Sequence, residues 1–590
     1  MFTQARPVAL VFAALTLGSM TPANEPKYSA ELLAYLDPTA RLASLCGGEN
    51  GQGSMRARLM IAAAVVQGAD APRMRLYDGL GAVHFPVTTS NPLAQEYFDQ
   101  GMGFAYGFNH AAAIASFREA QKLDPNCALC HWGEAMAHGP NINAPMDPTT
   151  VARAVGLATY ANWLARRGTP VEQALTAAML KRYSIAPNAD QAAMNGAYAD
   201  AMLAAAAAFP DNDDVSLLAA EAAMDTRPWD YWTADKQPQP RLGDAVRLVE
   251  TVYARHPDHP QAAHLYIHLM ENGPDPKRAE AAADKLATPL SPTAGHLVHM
   301  PAHIYYRLGR WKDSMRVNID AARADEKWIK ESGDKGLVRY GYYPHNVHFI
   351  VTSAQMAGDL PTAIREAHKL SGILDPKISS QVGWIQAVNA SPYFAAAQFA
   401  TPAQILAMKE PNKLLAYPTA MRHYARAVAY AMQRNRAGFD RELGAMAAIR
   451  RSEALKPMID QGVPAQELVR LGETVAQARW AFAGGNYGEA ARLYREAIKI
   501  EDSIPYMEPP YWYYPVHQSL GAALLKAGKN REAADAFTTA LARSPNNGWA
   551  LYGLAAAEKM QGRGAQAAAA QAALKRNWLG DPNWLRVDRL

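Results

Sequence analysis

The stretch AQEYFDQGMGFAYGFNHAAAIASFREAQKLDP, residues 94–125, decides the fold. Its small residues Gly101 and Ala113 stand where two neighbouring helices cross closely. Its large residues Phe104 and Phe117 stand where such a crossing leaves holes to fill. The proline that ends the stretch cannot continue a helix. This spacing is typical of a repeating unit of about 34 residues that folds as a helix, a turn and a second helix.

The same pattern recurs near the other end of the chain and, in weaker form, in the middle. A second copy ends at Pro545 and carries Gly521 and Phe537 in the same frame, and a third copy follows it without a gap. Degenerate copies surround Gly309 and Gly358. One unit cannot bury its apolar face alone, so we expect several units to stack. Alternating runs of β-branched residues are scarce, and the chain is therefore predicted to be nearly all helix.

These units resemble tetratricopeptide repeats. The resemblance implies an all-α fold, a tetratricopeptide-like α-solenoid in which helix-turn-helix repeats form a right-handed superhelix. Three longer strings, HPQAAHLYIH at 259–268, GHLVHMPAHIY at 295–305 and YPHNVH at 343–348, are similar to those of a family of exported bacterial tetratricopeptide proteins of obscure activity. The resemblance to this family of exported proteins does not imply any particular reaction.

Changes in the repeat pattern divide the chain into five predicted segments. They are a signal peptide at 1–23, an N-terminal extension at 24–90, repeats with a His-rich concave groove at 91–375, helical hairpins of degenerate repeats at 376–460, and C-terminal repeats at 461–590. The first segment is interpreted as a signal peptide because Arg6 precedes an apolar run at 7–17 and small residues at 21–23 resemble a cleavage site. We therefore expect a periplasmic or secreted protein.

Composition and charge exclude several classes of protein. The apolar run at 7–17 is too short to span a bilayer, and no later stretch reaches about 18 apolar residues, so no membrane span is expected. The chain has 59 Lys and Arg against 55 Asp and Glu, a net charge of +4, without a long run of one sign. This balance disfavours a nucleic-acid partner, because such binding depends on neutralising phosphates. The motifs of P-loop and G-x-S-x-G enzymes are absent from the sequence.

The distribution of histidine is the strongest chemical signal in the sequence. Nine of the 16 histidines lie between His256 and His348, where an even spread would place about two or three. Most of them form sets that share one face of a helix. These sets are His264, His268 and Glu271 at i, i+4 and i+7; His296, His299 and His303 at i, i+3 and i+7; and His345 and His348 at i and i+3.

The tetratricopeptide resemblance implies that these sets line one concave groove, together with the carboxylates of Glu221 and Asp225. Packed helices lie about 8–10 Å apart, so side chains of successive units can share an ion. Imidazole and carboxylate ligands suit a transition metal such as Zn, Cu or Fe. The predicted metal ligands are His264, His268, Glu271, His296, His299, His303, His345 and His348. The alternative is a polar groove whose histidines only form hydrogen bonds.

A second chemical signal is the segment formed by Cys127, Cys130 and His131. Its CxxCH spacing matches the attachment signature of a c-type haem. The motif occurs once, however, and the repeat register places His131 at a packed position between helices, where a haem would displace the packing. The alternatives are a Cys127–Cys130 disulfide or two buried thiols.

Three functional hypotheses follow from these features. The first is an exported metal-binding protein, with or without metal-dependent activity on a small-molecule substrate. The second is an interaction scaffold whose groove holds a protein or peptide without metal. The third is a c-type haem protein that uses the CxxCH segment.

Overall fold

The structure is a computed structural model that describes residues 74–186, 189–288, 290–291 and 293–590. The predicted signal peptide and most of the predicted N-terminal extension lie outside the described residues. Within them the chain is helical from residue 92 onwards, and the only β-pairing consists of two isolated bridges. The prediction of an all-α fold is therefore confirmed.

The helices follow one another with short connections. The first half of the described chain contains α1 Pro92–Tyr106, α2 His110–Leu123, α3 Ala128–His138, α4 Val151–Leu164, α5 Pro170–Met179, α6 Gln191–Ala208, α7 Asp213–Met224, α8 Leu242–Arg255, α9 Pro260–Glu271, α10 Glu280–Leu286, α11 Gly295–His299, α12 Pro301–Leu308 and α13 Trp311–Ser332. A π-helical turn, Val338–Tyr342, leads into the second half.

The second half contains α14 Tyr343–Ala357, α15 Leu360–Ile373, α16 Pro376–Gln381, α17 Gly383–Val388, α18 Ser391–Phe399, α19 Pro402–Leu406, α20 Ala416–Met432, α21 Arg436–Arg451, α22 Lys456–Ile459, α23 Ala465–Ala483, α24 Tyr487–Glu501, α25 His517–Lys526, α26 Asn530–Arg543, α27 Gly548–Met560 and α28 Gly564–Asn577. Short 3-10 turns lie at Pro148–Thr150, Ala165–Arg167, Pro276–Ala279, Glu453–Leu455, Pro582–Trp584 and Val587–Arg589. Consecutive helices pack against each other, as in an α-solenoid.

The first repeat shows why its residue pattern forms a pair of helices. Asn91 caps α1 by accepting a hydrogen bond from the backbone N–H of Leu93. The buried ring of Phe117 on α2 lies between α1 and α3, directly over Gly101 and Gly133. A methyl group added at either glycine would lie 2.5–2.6 Å from the ring. The small residue is therefore what lets the helices cross at this distance.

The C-terminal repeats return to the middle of the chain. The indole N–H of Trp549 on α27 donates a hydrogen bond of 2.8 Å to the backbone oxygen of Gln355 on α14. Beyond α28, the ring of Trp578 covers Gly358, which ends α14 in the left-handed conformation with φ +76°. The chain thus closes on α14 instead of leaving the solenoid open.

A break between α11 and α12 shapes the centre of the molecule. Pro301 begins α12 directly after Met300, and because proline has no N–H the helical hydrogen bonding is interrupted there. His299 and His303 lie on the two sides of this break. Among the described residues, none of the helices combines the length and the apolar character that crossing a lipid bilayer requires.

Candidate metal centre

Six of the predicted ligands come together in the interior as two groups of three histidines. The first triad is His264, His268 and His296, and the second triad is His299, His303 and His345. Within each triad, one nitrogen of every imidazole lies within 4.8 Å of the others. The triads are neighbours, since the rings of His268 and His303 are 6.1 Å apart and those of His296 and His299 are 6.2 Å apart.

Four helices supply these side chains. The first two histidines of the first triad are one turn apart on α9, and the third comes from α11. The second triad combines the last residue of α11, the third residue of α12 and the third residue of α14. The i, i+3 and i, i+4 spacings that the sequence shows thus place imidazoles on the inner faces of these helices.

Two amides fix the protonation of one imidazole in each triad. Nδ1 of His264 lies 3.0 Å from Oε1 of Gln261, whose Nε2 donates to Glu221. Nδ1 of His299 lies 2.6 Å from Oδ1 of Asn318, whose Nδ2 donates to a backbone oxygen. The amide oxygens can only accept, so each Nδ1 carries a proton. In both neutral rings the lone pair is therefore on Nε2.

Glu271 fixes a second imidazole in each triad. Its Oε1 lies 2.8 Å from Nδ1 of His268, and its Oε2 lies 2.6 Å from Nδ1 of His303. Burial alone would raise the pKa of this carboxyl, but the two histidines hold the pKa of Glu271 at about 2. Glu271, predicted as a ligand, thus contacts one imidazole of each triad at Nδ1, which we call the outer nitrogen. Imidazoles that bind metals in proteins are commonly oriented by such an acceptor on the other nitrogen.

The inner nitrogens converge. Nε2 of His264 is 3.2 Å from Nε2 of His296, and Nε2 of His299 is 2.8 Å from Nε2 of His303. Nε2 of His268 is buried and has no hydrogen-bond partner in the described part of the chain. Two imidazole nitrogens that bind the same ion at normal length are about 2.9–3.4 Å apart. The observed spacings are close to this range.

Burial keeps most of the cluster in the neutral form that can bind a cation. It lowers the pKa of His264, His296, His299 and His345 well below the ordinary value of histidine, and neighbouring histidines add to the effect. Burial also lowers the pKa of His303, but the adjacent carboxylate of Glu271 outweighs it and the net shift is upward.

Aromatic rings enclose both triads. Phe108 lies 4.7 Å from the ring of His264, Trp229 packs edge-on against His268 at 5.0 Å, Tyr342 stacks on His296 at 4.6 Å, and Phe349 lies 4.9 Å from His299. Phe108 and Trp229 have positive φ angles of 53° and 66°. Bulky residues rarely adopt this conformation, and such strained backbone is concentrated at functional sites.

The enclosure corrects one feature of the sequence analysis. The repeat register places the histidines on an open concave groove, whereas five of the six imidazoles are buried and the sixth, His345, is partly exposed. The physical reason is that Phe108 and Trp229, from connections between helices, pack on the first triad, and Phe349 packs on the second.

Besides Glu271, three residues predicted for the groove lie outside the triads: His348, Glu221 and Asp225. His348 lines a cavity of about 20 Å³ together with Trp384 and Tyr511. The carboxylate of Glu221 accepts a hydrogen bond from Gln261, the residue that also contacts His264. Burial raises the pKa of Glu221 to about 7. Asp225 forms a buried ion pair of 2.8 Å with Arg182. 

The CxxCH segment adopts one of the alternatives to haem attachment. Cys127 and Cys130 form a disulfide at the start of α3. The ring nitrogen Nε2 of His131 lies 3.0 Å from the backbone oxygen of Pro125. A c-type haem needs both thiols for its covalent bonds, and the disulfide leaves neither of them free.

Several functional residues were missed by sequence reasoning. Gln261 lies three residues before His264 on the same helix, so the i, i+3 rule could have found it. Asn318 lies on α13 and Phe108 between α1 and α2, and the sequence contains no signal that pairs them with these histidines. Phe349 lies four residues after His345 on α14, so the i, i+4 rule could have found it as well.

Comparison with known proteins agrees with the helical repeats. Residues 524–586 match the Tetratricopeptide repeat family. This part of the chain is similar to tetratricopeptide repeats. No curated protein matches the chain.

Solved structures that align with it include the human IFIT1 dimer with PPP-AAAA, at 14% identity over 81% of this chain and 89% of that chain, with a TM-score of 0.28. The yeast Tom70 structure aligns at 12% identity over 84% of this chain and 94% of that chain, with a TM-score of 0.25. The P58(IPK) TPR domain aligns at 16% identity over 59% of this chain and 93% of that chain, with a TM-score of 0.20.

Proposed function

We propose that this tetratricopeptide-repeat protein binds transition-metal ions in its interior, one at each histidine triad. The observation that carries the proposal is that the same nitrogen, Nδ1, faces an oxygen in four of the six imidazoles. In four imidazoles Nδ1 lies within 3.0 Å of an oxygen of Gln261, Glu271 or Asn318. Each of these rings can therefore offer an Nε2 lone pair to the space inside its triad.

A cluster held together by hydrogen bonds alone accounts for less of the geometry. Such a cluster needs a proton between each facing pair of nitrogens and a partner for every buried nitrogen. Nε2 of His268 and Nδ1 of His296 are buried without a hydrogen-bond partner among the described residues. A buried polar atom without a partner costs about 1–3 kcal/mol. A bound cation would satisfy the Nε2 of His268.

The donor set restricts the class of metal. Three neutral imidazoles without a thiolate suit Zn, Cu or Fe more than Mg or Ca, which prefer oxygen ligands. Three protein ligands leave a coordination position open, and an ion with an open position can activate a bound water or polarise a substrate. The enclosed aromatic surroundings of the two triads favour a small substrate for such chemistry.

Metal analysis of the purified full chain tests the proposal. We expect about two equivalents of a transition metal in the wild type and about one in each of two double variants, His264→Gln/His268→Gln and His299→Gln/His345→Gln. The matched control is His256→Gln, because its side chain is 64% exposed and belongs to neither triad. Less than about a tenth of an equivalent in the wild type, after supplementation with Zn²⁺ and Cu²⁺, would overturn the proposal.

A second candidate function is a scaffold that binds a protein or peptide, and it rests on the tetratricopeptide match at 524–586. A partner captured equally well before and after removal of metal would favour the scaffold. The apolar run at 7–17 supports a further proposal, export of the chain to the periplasm or the medium. Fractionation of cells that express the full chain tests export.

A further inference from the structure

A small cavity lies directly beside the first triad. Its volume is about 20 Å³, which is room for roughly one water molecule. The residues that line it include Asn109, Thr293, Gly295, His296, Asp325 and Tyr342. A cavity of this size next to a histidine of the triad is a place where a small ligand or ion can come close to the imidazole.

Asp325 directs a carboxylate oxygen towards this cavity. The side chain is 2% exposed, and its Oδ2 accepts a hydrogen bond of 2.7 Å from Nδ2 of Asn346. Its Oδ1 has no hydrogen-bond partner among the residues that the structure describes. Oδ1 lies over Gly295, where a methyl group would clash with it. The absence of a side chain at Gly295 is thus what allows the carboxylate to approach the start of α11.

A larger cavity lies next to the small one. It has a volume of about 230 Å³ and shares Phe104, Thr293 and Trp328 with the small cavity. Charged side chains line its outer part, among them Glu331, which forms an exposed ion pair of 2.9 Å with Arg75. The two cavities are therefore neighbours, one lined by the exposed Arg75 and Glu331 and the other by His296.

We propose that metal cations reach the first triad through these two cavities, and that Asp325 is the oxygen ligand that receives the ion before His296 does. This proposal rests on metal binding by the triads. A cavity of about 20 Å³ cannot hold an ion with a full shell of water, so the ion must exchange water for protein oxygen on the way. Asp325 Oδ1, on a buried side chain and without a hydrogen-bond partner among the described residues, is a carboxyl oxygen in the wall of the small cavity, where that exchange has to occur.

The kinetics of metal uptake test this route. Metal-free full chain carrying His299→Gln/His345→Gln, which leaves only the first triad, is mixed with Co²⁺ and the absorbance of the bound ion is followed in time. We expect Asp325→Asn to slow uptake at least about tenfold, while the final amount of bound Co²⁺ changes little. The control is Asp320→Asn on the same helix, a 47% exposed carboxylate that pairs with Arg323.

Two further variants address the route without removing the carboxylate. Gly295→Ala displaces Asp325 Oδ1, and Thr293→Trp fills the wall that the two cavities share; both are expected to slow uptake. Uptake at the wild-type rate in Asp325→Asn and in Thr293→Trp would overturn the route while leaving metal binding intact. If the background variant and the wild type bind no Co²⁺ at equilibrium, both metal binding and the route are overturned.

Discussion

Glu271 connects the two triads through a single carboxylate. Each of its oxygens holds the outer nitrogen of one imidazole, His268 on one side and His303 on the other. It is also the anionic group that keeps the pKa of His303 above its ordinary value in a buried cluster. A change at this residue therefore acts on both triads at once.

We expect Glu271→Gln to weaken metal binding at both triads by about 10- to 100-fold, because an amide orients only one imidazole and carries no charge. Competition with a chelator of known affinity measures the change. Glu473→Gln is a suitable control, since that carboxylate pairs with Arg450 away from the cluster. A change confined to one triad would contradict the bridging role.

A second prediction at this scale concerns His110. Its Nε2 is 3.0 Å from Nδ2 of Asn141, so the neutral ring accepts a hydrogen bond, and burial lowers its pKa to about 4. Between pH 6.5 and 4 the unfolded chain binds a proton at this residue that the folded chain does not bind. The contribution of His110 to stability is therefore present above pH 6.5 and is lost as the pH falls towards 4.

We expect this loss to amount to about 1–2 kcal/mol between pH 7.5 and 5. Urea unfolding of wild type and His110→Gln at the two pH values measures it. The variant should lose less stability on acidification than the wild type by that amount. An equal loss in the two proteins would show that His110 is protonated in the folded state. His256→Gln, whose ring is 64% exposed, should behave as the wild type does.

Sequence reasoning identified the histidines that come together but not the residues that contact them from outside. The spacing of the histidines identified all six members of the triads, because residues three and four apart on a helix share a face. It could not identify Asn318, since which helix packs behind an imidazole depends on tertiary packing. It also assigned Glu271 as a ligand, because spacing alone cannot distinguish a side chain that meets the inner nitrogen from one that meets the outer nitrogen.

At the scale of elements, glycines decide how closely helices pair. Gly133 on α3 faces the ring of Phe117, and a methyl group there would lie 2.6 Å from it. Gly156 on α4 has no atom within 4 Å of the position that a methyl group would take. The two positions form a matched pair, one where the glycine is required by packing and one where it is not.

We expect Gly133→Ala to destabilise the protein by about 1–3 kcal/mol through overpacking. We expect Gly156→Ala to stabilise it by about 0.5–1 kcal/mol, because alanine favours the helix and meets no neighbour. Urea unfolding measured at one pH gives both values. Destabilisation of similar size in the two variants would contradict the packing explanation.

The repeat pattern predicted these pairings well, as Gly101 and Phe117 show. It did not predict the break at Pro301, which falls inside a segment that the repeat register treats as one helix. It also did not predict the return of the C-terminal repeats to α14. Contacts such as Trp578 over Gly358 join residues far apart in the sequence, and a local pattern contains no information about them.

At the scale of the whole molecule, metal binding and folding are linked. The ligands of both triads come from α9, α11, α12 and α14, so the unfolded chain has no preformed site. An ion at 100 times its dissociation constant should stabilise the folded chain by about 2.7 kcal/mol for each site. Urea unfolding with Zn²⁺ and after chelation measures the difference. The combined variant of all four histidine substitutions should show no difference, and a metal effect that persists in it would place the binding elsewhere.

The contact of the C-terminal repeats with α14 has a mechanical consequence. Open solenoids stretch and twist like springs, because each repeat touches only its neighbours. Here Trp549 and Trp578 pack against the end of α14, the helix that carries His345, at Gln355 and Gly358. These contacts restrict the motion of α14. Coordination bonds tolerate errors of only about 0.2 Å. The C-terminal repeats supply none of the six histidines, but their contacts restrain the helix that positions His345 in the second triad.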